Sequence, residues 1–141
     1  MDNLFIHCEN CCEENYMEKW VGYSDLERSS GKSIVNKIFF ENDKLIVGVD
    51  DEVKSIAITF QNLYAYKYSI ESGIIDRLQT VYRENEGSLI YTVENSDYIK
   101  DFEFQSSGTR PIENLKHYLL MDSIDTVVEV LALSEPVIIQ E

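Results

Sequence analysis

Four potential metal ligands lie within six residues near the start of the chain, in the stretch HCENCC: His7, Cys8, Cys11 and Cys12. A structural zinc site needs four thiolate or imidazole ligands, which usually come as two pairs from separate segments. Cys8 and Cys11 have the C-x-x-C spacing, but the chain has no second cysteine pair, and its only other histidine is His117. A zinc site that combines the three cysteines with His117 is therefore one hypothesis for this stretch.

The same C-x-x-C spacing is also typical of thioredoxin-like redox sites, where the first cysteine begins a helix and has a lowered pKa. Here Glu9, Glu13 and Glu14 surround the cysteines, and negative charge raises the pKa of a thiol and weakens it as a nucleophile. A cysteine–histidine catalytic pair would need His117, which lies in the strand-like run KHYLL, where a structural role is expected. We expect no cofactor, and a metal or redox role remains the alternative.

The elements that would position any site are mainly strands. Runs of β-branched and aromatic residues separated by short polar turns are typical of antiparallel hairpins. We predict strands at residues 4–8, 33–40, 44–50, 53–60, 63–69, 88–93, 115–121 and 137–140.

Alternation within two of these strands indicates which side chains face the core. In the strand at 53–60, the bulky residues Ile56, Ile58 and Phe60 share one face, so they should point inward. Three tyrosines alternate in the next strand in the same way, and we expect them to be core residues rather than interface anchors: Tyr64, Tyr66 and Tyr68.

Three segments have helical spacing instead. Apolar residues between 74 and 82 recur as on one helix face, Asn95 or Ser96 can cap a helix that runs to about residue 105, and Asp122 or Ser123 can cap a helix over 122–133. The order of strands and helices shows no regular βαβ alternation. We therefore predict a single domain over residues 1–141, of the α+β class, with a mainly antiparallel sheet of about five to seven strands and two to four helices packed on it.

The charge of the chain is its most distinctive property. Twelve basic residues and 26 acidic residues give a formal net charge of -14, of which residues 1–30 contribute -5 and residues 94–141 contribute -7. Such a field repels nucleic acid and anionic membranes and attracts basic proteins. The sequence has no signal peptide, no long apolar run and no disulfide framework, so we expect a reduced, cytoplasmic protein.

Several short elements of the C-terminal third carry a family resemblance: VENSDYIK at Val93–Lys100, KHY at Lys116–Tyr118, DSIDTV at Asp122–Val127, and Glu135–Pro136. In these elements the chain resembles small acidic bacterial immunity proteins of polymorphic and contact-dependent toxin systems. The resemblance implies a protein that neutralises a cognate toxin by occlusion and needs no catalytic residues. A nuclease toxin is basic because its substrate is a polyanion, so an acidic inhibitor would be steered onto it.

The partner surface is expected at the two acidic ends of the chain. Trp20 and Tyr23 are the candidate aromatic anchors, and Asp97 and Asp101 are four apart, which places both carboxylates on one face of the predicted helix. The full set of candidate contact residues is Glu13, Glu14, Trp20, Tyr23, Asp97, Asp101 and Glu103. A third hypothesis, an acidic mimic of nucleic acid that binds a basic DNA-binding protein, rests on the same charge.

Overall fold

The computed structural model describes residues 17–23, 33–84 and 87–140. Over these residues the chain forms ten strands and two α-helices. The strands are β1 (Lys19–Gly22), β2 (Ile34–Glu41), β3 (Lys44–Asp50), β4 (Ser55–Phe60), β5 (Leu63–Ile70), β6 (Tyr82–Glu84), β7 (Ile90–Glu94), β8 (Lys116–Met121), β9 (Thr126–Ala132) and β10 (Val137–Gln140). The helices are α1 (Ile75–Leu78), which directly follows a 3₁₀ turn at Glu71–Ile74, and α2 (Asp97–Gln105).

The strands form two sheets. One has six strands in the order β5-β9-β8-β7-β1-β6, and the other has four in the order β10-β4-β3-β2. Every described pairing is antiparallel except that between β1 and β6. The mixed fold with a mainly antiparallel sheet is therefore confirmed. The expected number of strands was wrong, because residues 17–23, 33–84 and 87–140 form ten strands in two sheets, and the helical part there is smaller than predicted.

The main core lies between the two sheets. Every second residue of β3 and β4 points into it, so the inward direction predicted for Ile56, Ile58 and Phe60 is confirmed. The facing residues come from the central strands of the six-stranded sheet: Ile90, Tyr118, Leu120, Val128, Val130 and Ala132.

A second apolar cluster covers the opposite face of the six-stranded sheet. It contains Trp20, Tyr91, Val93, Leu119, Met121 and Val127, with Ile74, Leu78 and Val81 packed over it. The central strands are thus buried on both faces, and they read as continuous apolar runs rather than alternating ones. For this reason the helix predicted over residues 122–133 is wrong: Thr126–Ala132 is β9, and Oδ1 of Asp122 accepts hydrogen bonds from the backbone N–H groups of a turn before it.

Two further predictions need correction. The helical spacing between 74 and 82 yields only the single turn of α1, and Tyr82 lies in β6. Tyr66 and Tyr68 are not core residues, because β5 is an edge strand and leaves them 44% and 56% exposed. The helix predicted from the Ser96 cap is confirmed as α2, whereas the strand predicted at residues 4–8 lies outside the described residues.

The core between the sheets should dominate stability. We expect Ile58→Ala to lower the free energy of unfolding by about 2–5 kcal/mol, because it leaves a cavity at a fully buried position. Ile139→Ala in β10, where the side chain is half exposed, is the matched control and should change it by less than about 1 kcal/mol. Urea unfolding followed by circular dichroism measures both. Equal losses would contradict the assignment of this face to the core.

Candidate protein-binding surface

A buried carboxylate lies on the outer face of the six-stranded sheet. Glu129 of β9 has no exposed surface, and its Oε2 accepts a hydrogen bond of 2.8 Å from Nη1 of Arg77. Its Oε1 lies 2.8 Å from Nε2 of His117, and the ammonium of Lys67 lies 4.0 Å away. The carboxylate is therefore surrounded by donors from β5, α1 and β8.

These donors determine the ionisation of Glu129. Burial alone would raise its pKa, but hydrogen bonds from His117 and Arg77, together with their charges, outweigh burial and lower the pKa to about 2. Arg77 also donates from Nε to Glu18 at 3.1 Å, so one guanidinium links two buried carboxylates. Glu129 is consequently ionised throughout the neutral range.

His117 connects this carboxylate to the start of α2. Its Nε2–H donates to the ionised Glu129. The hydroxyl oxygen of Ser96 lies 2.7 Å from Nδ1 of the same ring and accepts the backbone N–H of Ile99 as the N-cap of α2. Both ring nitrogens of His117 are thus engaged in hydrogen bonds within the described part of the chain.

The series Ser96–His117–Glu129 has the residue types of a hydrolase triad, but its geometry does not suit catalysis. A nucleophilic serine must be open to substrate. Ser96 is buried, and its oxygen already accepts the helix N–H. The three residues therefore fix the helix.

Further contacts hold α2 against the sheet. The backbone N–H of Asp97 donates to the buried carboxylate of Glu18 at 2.8 Å. The edge of the Tyr98 ring packs on the imidazole of His117, and the rings of Phe102 and Tyr64 stack at 5.2 Å. The first turn and the inner face of α2 are therefore fixed by buried groups.

The outer face of α2 combines an aromatic side chain with carboxylates. Asp97, Asp101 and Phe104 follow one another at the spacing i, i+4, i+7, which places them on one side of the helix. Phe104 is 77% exposed, and both aspartates and Glu103 are exposed as well. Phe104 was not among the predicted contact residues, although its helical spacing from Asp97 and Asp101 was a signal in the sequence.

The two predicted aromatic anchors lie elsewhere. The prediction that Trp20 is an interface anchor was wrong, because the side chain is completely buried. Its Nε1 donates to Glu18, and the Arg77 guanidinium lies over its ring. Tyr23 is half-buried, and its hydroxyl donates to Glu135 at 2.6 Å. The other predicted site residues lie outside the described residues: Cys8, Cys11, Cys12, Glu13 and Glu14.

Comparisons with protein-family models, with curated proteins and with solved structures found no match for this chain. In the part of the chain that the structure describes, no group of three or more His, Cys, Asp or Glu side chains could hold a metal ion. None of the described helices is long and apolar enough to cross a membrane.

Glu129 should make stability depend on acid pH. Its folded-state pKa of about 2 lies below the ordinary value of 4.5, so it stabilises the fold above pH 4.5 by roughly 3 kcal/mol, and this contribution is lost as the pH falls towards 2. We expect the stability difference between the wild type and Glu129→Gln to be largest at pH 7 and to shrink between pH 5 and pH 2. Urea unfolding at several pH values measures it. A difference that stays constant down to pH 2.5 would contradict the ionised, buried Glu129.

Proposed function

We propose that this protein is an immunity-type binding protein that neutralises a basic partner, a cognate toxin domain, by covering its surface. The observation that carries the proposal is the outer face of α2, where Phe104 is exposed beside the carboxylates of Asp97 and Asp101. The net charge of -14 supports a basic partner, and the resemblance to immunity proteins supports a toxin.

This face has the features of a binding hot spot. An exposed phenyl ring gains roughly 2 kcal/mol when a partner removes it from water. Carboxylates around such an anchor favour a partner with lysines or arginines and accelerate its approach. Since the first turn of α2 is already fixed by Ser96 and Glu18, binding would lose little further conformational entropy there.

The interior supports binding over catalysis. The buried polar side chains beneath α2, Glu18, Ser96, His117 and Glu129, bond to one another, to Arg77 or to the start of α2. The hydrogen-bonding groups of Ser96 and His117 are already used within the fold. An inhibitor that acts by occlusion needs only a rigid, complementary surface.

The function is tested by co-expressing the protein with each toxic domain that the adjoining genes encode. We expect the wild type to restore growth and Phe104→Ala to bind the purified toxin domain roughly tenfold more weakly, because an aromatic hot spot is lost. Phe39→Ala on β2, also an exposed phenylalanine, is the control and should leave binding unchanged. If the wild type protects cells from none of these domains, the proposed function is wrong.

The carboxylates of α2 should govern the rate of association. We expect Asp97→Lys with Asp101→Lys to slow association with the toxin domain roughly tenfold at low salt and to flatten its dependence on ionic strength. Glu41→Lys in β2 with Glu52→Lys in the turn between β3 and β4 makes the same change of charge at exposed positions and should have a smaller effect. Stopped-flow measurements at several salt concentrations compare the pairs. Equal effects of the two double variants on the association rate would show that the rate depends on net charge alone and not on the outer face of α2.

A further inference from the structure

The outer edge of β5 is open in the described part of the chain. β5 is the terminal strand of the six-stranded sheet, and there it pairs with β9 alone. From Tyr66 to Ile70 its side chains are exposed or half-buried. Unpaired N–H and C=O groups of an edge strand can bind an added strand through backbone hydrogen bonds. This segment is therefore a candidate site for strand addition.

The two faces of this segment differ in chemistry. Tyr66 and Tyr68 form an aromatic face on the side of the four-stranded sheet, and Phe40 of β2 stacks on Tyr66. Lys67 points to the opposite side, where its ammonium lies 4.2 Å from the centre of the Tyr98 ring. The side chain of Lys67 is 48% exposed, so its charge can reach a group on an added strand.

The residues of β9 that pair with β5 indicate which residues on an added strand would fit beside β5. Across the ladder, Val130 lies opposite Tyr66, Val128 opposite Tyr68, and Glu129 opposite Lys67. Branched apolar residues pack well against tyrosine rings across a ladder, and a carboxylate opposite a lysine adds a favourable charge pair. The same alternation of apolar and acidic residues would fit the open side.

We propose that β5 binds an extended segment of a partner protein in which one acidic residue is flanked by branched apolar residues. The acidic residue lies beside Lys67, and its apolar neighbours cover Tyr66 and Tyr68. This site is independent of the function proposed for α2, because it lies on another element and selects the opposite charge.

A second copy of the chain does not have this chemistry. Antiparallel pairing of two β5 edges would bring Lys67 close to its own counterpart, and an edge lysine is a common protection against such self-association. The other described edge strands, β2, β6 and β10, carry no acidic residue between two apolar ones. Charge complementarity therefore favours a different protein.

The test uses a peptide with the β9 sequence TVVEVLA between Gly-Ser flanks, and its counterpart TVVKVLA. Amide chemical shifts of the full chain are followed during titration. We expect changes centred on residues 66–70 and roughly three- to tenfold tighter binding of the glutamate peptide. Lys67→Met should abolish this preference, whereas Lys44→Met, at an exposed lysine of the other sheet, should keep it.

Four results would overturn the proposal. The first is no binding at millimolar peptide. The second is a set of chemical-shift changes centred on α2 or on β8; changes on β8 would show that the peptide has displaced β9. The third is a glutamate preference that survives Lys67→Met. The last is concentration-dependent broadening of amides 66–70 without peptide, which would identify a second copy as the occupant.

Discussion

The structure depends on the pairing of one buried carboxylate. An unpaired Glu129 in the interior would lose several kcal/mol of hydration, and a residue with no exposed surface recovers this only through close donors. Arg77 and His117 supply these donors from α1 and β8. Because Arg77 also binds Glu18, which directly precedes β1, one charge network joins β1, α1, β8 and β9.

The same network sets the position of α2. The ionised Glu129 orients the His117 ring, the ring shares a hydrogen bond with the hydroxyl of Ser96, and Ser96 caps the helix. A helix of nine residues has little stability by itself, so its direction depends on these contacts. The charge in the core and the exposed face of α2 are therefore linked by a continuous series of hydrogen bonds.

Sequence patterns predicted the elements whose signals are local. Alternation located β3 and β4 and the inward residues of β4, and the serine cap located α2, because both depend only on neighbouring residues. The patterns failed at β9, where burial on both faces removes the alternation that distinguishes a strand from a helix. They failed at Trp20 for a different reason: the groups that enclose its ring, Tyr91 and Arg77, lie more than 50 residues away in the chain.

The division of polar residues between interior and surface supports the proposed binding role over a catalytic one. The interior histidine, serine and glutamates are held in mutual hydrogen bonds, and any substrate that used them would have to break the bonds that fix α2. The exposed surface carries other groups, namely carboxylates and the ring of Phe104. A surface built in this way can be changed residue by residue without disturbing the charge network beneath it. Under the proposed function, specificity for a partner can therefore vary on a constant fold.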